Sequence, residues 1–124
     1  MQALSIEGTF KTPKIIADAS KGLIEISGRS NPENAPEFYK PLLNWVDEYI
    51  KQPAAHTTVV VAMEHFNTSS SKVILNIFRR LEVIDGSSKN VVVDWHYEAD
   101  DDDERETGEY YQKMTTLSFK FTGV

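Results

Sequence analysis

Phe66 to Ile74 reads FNTSSSKVI, a run that places four hydroxyl side chains, Thr68 to Ser71, where an apolar segment hands over to an apolar helical stripe. Hydroxyl groups at such a junction can do three kinds of chemistry. They can cap the helix by accepting from its free amides, for which Asn67, Thr68 and Ser69 are all suitable and one suffices. They can accept a phosphoryl group, which a helix N-terminus tolerates because its unpaired N–H groups and partial positive charge favour an anion. They can act as nucleophiles if a base lies within hydrogen-bond reach. One cap explains one residue of the cluster and leaves modification of Thr68 or Ser69 open. Lys72, three to four residues on, stands at helical spacing to pair with a phosphate there. The nucleophile reading is the weakest. His65 is adjacent to the run, but neighbouring strand residues point to opposite faces, and His56 and His96 are distant in sequence.

No other segment carries a stronger catalytic or ligand pattern. There is no cysteine, so disulfides, thiolate metal sites and cysteine nucleophiles are excluded, and a reducing cytoplasm is the expected compartment. A glycine-rich phosphate loop is missing. Asp100 to Asp103 with Glu104 and Glu106 form a dense acidic run. It lacks the alternating ligands and central Gly of a calcium loop, and reads as a solvated loop or the first turn of a helix, with a docking surface for basic residues as the second reading. Arg79 and Arg80 are expected on an exposed helix face. The formal net charge of −6 argues against nucleic acid or an anionic membrane as partner. No apolar run approaches the roughly 18 residues of a membrane helix, and MQALSIEGTF lacks the basic segment and apolar core of a secretory signal. No metal and no cofactor is expected.

The elements that must position the hydroxyl run follow from periodicity. ALSIEGT alternates and predicts a short strand, interrupted at Thr12-Pro13; KIIADASKGLIEISG predicts two strands around a turn at Ser20 to Gly22. Phe38, Leu42, Trp45, Val46 and Tyr49 recur at helical spacing. Asn34 is the expected cap of that helix, with Pro36 near its first position and Glu37 three residues on. Pro41 is expected in the first turns or as a kink. HTTVVVAMEHF is a near-continuous β-branched run, expected as a strand covered on both faces. SKVILNIFRRLEVIDG predicts a helix stopping at Gly86, and NVVVDWHY a further buried strand. The acidic segment predicts a loop and short helix, and TLSFKFTG a closing strand. The order β-β-β-α-β-α-β-(α)-β implies an α/β domain with a mixed sheet and helices packed on it. The 124 residues are expected to form a single domain, 1–124. Switch and ligand sites in such sheets lie beyond the carboxyl ends of the strands, the edge on which Asn67 to Ser71 falls.

Three segments, NPEN (Asn31 to Asn34), FNTSSSKVILNIFRRLE (Phe66 to Glu82) and WHYEADDDDERETGEYY (Trp95 to Tyr111), together with TPKI (Thr12 to Ile15), resemble the SiaC-type biofilm-regulation phosphoproteins of bacteria over most of the chain. More distantly, the strand–hydroxyl–helix junction is similar to that of anti-sigma-factor antagonists, the STAS fold, which usually carry Asp where Asn67 stands. The resemblance implies a STAS-like, non-catalytic regulatory phosphoprotein with Thr68 as phosphoacceptor and Ser69 as the alternative. It implies a serine/threonine kinase with a histidine-kinase-like ATPase fold and a PP2C-type phosphatase as partners. It also implies that the unphosphorylated form activates a diguanylate cyclase or another regulatory target. The expected partner-binding edge comprises Asn67, Thr68, Ser69, Ser70 and Lys72 with Pro32, Glu33 and Asn34. A STAS-like module for a small ligand or lipid is the alternative.

Overall fold

Among the described residues, six strands form one sheet in the order of the chain, β1-β2-β3-β4-β5-β6. They are β1 (Leu4–Ile6), β2 (Lys14–Asp18), β3 (Leu23–Ser30), β4 (His56–Phe66), β5 (Asn90–Tyr97) and β6 (Ser118–Gly123). The computed structural model describes residues 1–86 and 88–124. The first three strands pair antiparallel; β3 to β6 pair parallel. Each parallel step is bridged by one helix: α1 (Ala35–Tyr49), α2 (Thr68–Leu81) and α3 (Asp102–Met114).

The register explains the core. One row crosses all six strands, Ile6–Ile15–Ile26–Val61–Trp95–Phe121, and the neighbouring row runs Leu4–Ala17–Ile24–Val59–Val93–Phe119. These rows face the helices, whose buried stripes supply Leu42, Val46 and Tyr49 from α1, Ile74, Ile77 and Phe78 from α2, and Tyr111 from α3. Strands laid down in sequence by right-handed crossovers put every helix on the same face of the sheet. The opposite face is therefore open. On β4, Thr58 and Glu64 are exposed and Val60 and Ala62 half-buried. The expectation that this strand is covered on both faces is corrected here. A β-branched run implies double cover only where strand order reverses and sends helices to both sides.

Local signals otherwise act as their chemistry requires. Gly22 has φ +60°, and a Cβ there would stand 2.1 Å from the His56 carbonyl oxygen, so the turn between β2 and β3 demands glycine. Asn34 caps α1, its Oδ1 accepting from the Glu37 amide at 3.3 Å. Pro41 lies inside α1, on its exposed side. α2 ends at Leu81 rather than at Gly86, and a single 3₁₀ turn, Glu82–Ile84, follows. Val83 in that turn points into solvent. Arg80, expected on an exposed face, instead bonds both carboxylate oxygens of Asp47 at 2.8 Å and ties α2 to α1.

Candidate functional site

The hydroxyl run sits at the carboxyl end of β4, and the structure gives each of its residues a different task. Asn67 is the cap of α2. Its Oδ1 accepts from the Ser70 amide at 2.9 Å, and its backbone N–H donates to the Ser30 carbonyl at 2.9 Å. Its Nδ2 donates to Asn31 Oδ1 at 3.1 Å and to the Pro32 carbonyl at 3.3 Å. The amide thus bridges the loop before α1 to the first turn of α2. An Asp at this position could cap the helix but could not donate those two bonds.

Ser70 is fully buried. Its hydroxyl lies 2.8 Å from Ser30 Oγ, which lies 2.6 Å from the Tyr39 hydroxyl, forming a buried chain from α2 through β3 to α1. Burial pushes the Tyr39 phenol up to about 12, against the opposing pull of its hydrogen bonds to Ser30 and Ser70. Ser71 Oγ donates to the Thr68 carbonyl at 2.7 Å, and the Ser71 carbonyl accepts from the Tyr111 hydroxyl at 2.9 Å. Thr68 and Ser69 occupy the first turn and are exposed. Of the four hydroxyls, therefore, one is committed to the core and one to the helix turn, and two face solvent.

The other sequence-derived positions distribute accordingly. Lys72 and Glu33 are exposed, and Asn34 is exposed while capping α1. Pro32 is buried. Pro32 and Ser70 therefore shape the edge from beneath. The histidines do not converge on the run. His56 is bonded to Asn90 where β4 and β5 begin, and His96 Nε2 lies 3.1 Å from Asp94 Oδ2. The acidic segment resolves into helix chemistry. Asp101 caps α3 through the Glu104 amide at 3.0 Å, Asp102, Asp103 and Glu104 fill the first turn, and Glu104 Oε2 accepts from the Glu98 amide at 2.7 Å.

Ser30, Tyr39 and Tyr111 were not foreseen as parts of the site. Tyr39 directly follows Phe38, which the periodicity placed on the apolar stripe, and only packing shows that Tyr39 is the deeper of the two. Beside the Tyr111 contact, α2 and α3 leave an open cleft of about 630 Å3, with Phe66, Leu75 and Tyr110 among its walls.

Fold and junction together define the class: a mixed-sheet α/β domain that presents hydroxyl side chains at the N-terminus of a helix. The model of the SiaC family of regulatory phosphoproteins matches residues 6–124, and the chain belongs to this family. An uncharacterized protein of Pseudomonas aeruginosa strain UCBPP-PA14 is 28% identical over 119 residues, covering 96% of this chain and 94% of the relative. The crystal structure of apo-SiaC from P. aeruginosa superposes with a TM-score of 0.89 at 27% identity, covering 99% of this chain and 100% of that one. A second crystal structure, of the P. aeruginosa diguanylate cyclase SiaD in complex with its activator SiaC, matches with the same TM-score and identity over 98% of this chain and 99% of that one.

Proposed function

We propose that this regulatory phosphoprotein is a non-catalytic, cytoplasmic switch, acting as one domain over residues 1–124, in which phosphorylation of Thr68 controls binding to a target enzyme. The target is a diguanylate cyclase, which the unmodified form binds and activates, raising cyclic di-GMP and promoting biofilm formation. A serine/threonine kinase with a histidine-kinase-like ATPase fold adds the phosphate and a PP2C-type phosphatase removes it. The P. aeruginosa SiaC–SiaD complex supports the class of target.

The observation that carries this reading is the division of labour at the start of α2. Thr68 and Ser69 are exposed, while Asn67 already caps the helix. Neither is needed as a cap, and both are open to a kinase. Unmodified Thr68 adds only a small neutral group to a contact surface. A phosphate adds about −1.5 to −2 charge at pH 7, stabilised in the free protein by the helix N-terminus and by Lys72, four residues on. In a complex that charge must be desolvated without a matching partner, which costs at least several kcal/mol, enough to release the target.

Intact-mass analysis with site mapping, before and after incubation with the cognate kinase and ATP, tests the reading. One phosphate on Thr68 is the expected result. A phosphate on Ser69 would move the acceptor by one residue. No phosphate, with a kinase active on a control substrate, would overturn the proposal. Thr68→Ala is expected to bind and activate the cyclase whether or not kinase is present, and a variant still switched off by the kinase would remove Thr68 from its role.

A further inference from the structure

Among the described residues Phe10 is the most exposed large hydrophobic side chain, at 82%. A single exposed ring is ordinary on a protein surface, but this one is held up on a rigid stand. Thr9 closes the loop between β1 and β2 on itself. Its amide donates to the Thr12 carbonyl at 2.8 Å. Its Oγ1 accepts from the Lys11 and Thr12 amides at 3.2 and 3.0 Å and lies 2.7 Å from Thr12 Oγ1. The Arg29 guanidinium stands 5.6 Å from the centre of the Phe10 ring. It comes from the end of β3, where the register against β4 slips between Gly28 and Arg29, the kind of irregularity that re-aims a side chain. Lys11, Lys14 and Arg29 are exposed, and the ion pairs among the described residues include none of them. Glu7 is the loop's only carboxylate. In a chain of net charge −6, this corner is locally positive. The stand is also tied to the hydroxyl run. The Lys11 carbonyl accepts from the Asn31 amide at 2.6 Å, Asn31 Oδ1 accepts from Asn67 Nδ2, and Asn67 Oδ1 accepts from the Ser70 amide. This path fixes the ring relative to the first turn of α2. The loop leads into β2, on the β3 side of β4, whereas the α2–α3 cleft lies towards β5.

We infer that Phe10, framed by Arg29 and Lys11, is the docking knob for the kinase, and that it seats in an apolar pocket with carboxylates on its rim. The inference rests on the phosphorylation reading above and adds where the modifying enzyme holds the chain. A side chain on a pre-ordered loop loses little freedom on binding, and aromatic and Arg side chains carry a large share of interface energy. Charge decides the rim: cations without internal partners are complementary to carboxylates. Release decides the partner. A target freed by one phosphate must hold on through contacts which that phosphate disturbs, and a strong anchor elsewhere would keep the modified chain bound. A kinase has the opposite need. It must orient Thr68 towards ATP through contacts outside the acceptor, and a ring on the far side of β4 from the cleft supplies one. The bonded path from Lys11 to Ser70 keeps the distance from pocket to acceptor constant.

Initial rates of phosphate incorporation by the purified cognate kinase with ATP, at varied concentrations of the full chain, test this. Phe10→Ala and Arg29→Glu should each raise KM by roughly tenfold or more with kcat unchanged. Rising salt should raise the KM of the unaltered chain more than that of Arg29→Glu. Both variants should bind and activate the diguanylate cyclase as the unaltered chain does, and urea unfolding confirms that they are folded. An unchanged KM would overturn the inference. So would a fall in kcat alone, which would make the ring a positioning element for Thr68. An equal loss of cyclase activation would also overturn it, giving the knob to the target. Kinase binding without ATP, followed by the amide resonances of Phe10, Lys11 and Arg29, separates the knob from the switch. Binding weakened by Phe10→Ala, with no phosphate reaching Thr68 in the unaltered chain, would sink the acceptor and leave the knob standing. Phosphate on Thr68 with the same KM for Phe10→Ala would do the reverse.

Discussion

Asn67 is the residue on which the candidate site turns. One side chain accepts from the Ser70 amide and donates to Asn31 and to the Pro32 carbonyl, so a single amide holds two helix-preceding segments in one surface. Removing a cap of this type costs about 1 kcal/mol, and the lost cross-loop bonds add about 0.5–1.5 kcal/mol each at most. Asn67→Ala is therefore expected to lower unfolding stability by about 1–4 kcal/mol in urea titration. Asn67→Asp should recover the capping share alone, because a carboxylate accepts but cannot donate. Equal losses for both substitutions would assign the whole effect to the bridge.

At the scale of elements, α3 is held to the sheet by the absence of a side chain. A Cβ on Gly108 would stand 2.6 Å from Trp95 Cδ1 and 2.7 Å from Phe121 Cε1. Alanine gains about 1 kcal/mol of helix propensity over glycine, but overpacking a closed contact costs about 1–3 kcal/mol. Gly108→Ala is expected to be destabilising on balance and to shift α3 outward, with the near-ultraviolet circular dichroism of Trp95 changed. A stabilised variant with an unchanged aromatic spectrum would show that α3 is free to slide. The same contact explains why α3 was legible only as a short helix after an acidic loop. Its buried members are Gly108 and Tyr111, too sparse a stripe for periodicity to detect, and the acidic run before them read equally as a solvated loop or as a helix's first turn.

Over the whole molecule, buried phenols hold helices to their neighbours, and for two of them burial raises the pKa: Tyr39 on α1, bonded to Ser30, and Tyr111 on α3, bonded to Ser71. Burial pushes both above the ordinary tyrosine value of 10.0, Tyr39 to about 12 and Tyr111 further in the same direction. A folded-state value above the unfolded one means that the stabilisation is complete below pH 10 and fades as pH rises towards 12. Stability measured by urea unfolding should hold up to about pH 10 and then fall, and Tyr39→Phe should flatten part of that fall. A phenol absorbance titration in which every tyrosine ionises near pH 10 in the folded state would contradict the buried chain. The −6 net charge also makes a further dianion at Thr68 a change in the same direction as the existing field.

The sequence by itself determined the order of strands and helices, the mixed sheet, the cap at Asn34, and the location of the hydroxyl run at a strand's carboxyl end, while leaving open which of Asn67, Thr68 and Ser69 caps α2. These follow from period, cap chemistry and turn residues, which act within a few positions along the chain. Only the tertiary structure decided that all three helices share one face, that Ser70 and Pro32 are buried, that Arg80 is spent on Asp47, and that α2 and α3 part to leave a cleft beside Thr68. Each of these depends on which distant segments meet: Ser30 with Ser70 and Tyr39, Asn31 with Asn67, Trp95 with Gly108. A row of four hydroxyls is chemically uniform in sequence. It becomes one core bond, one turn bond and two free groups because helix geometry aims successive side chains about 100° apart, and the sheet covers only one side.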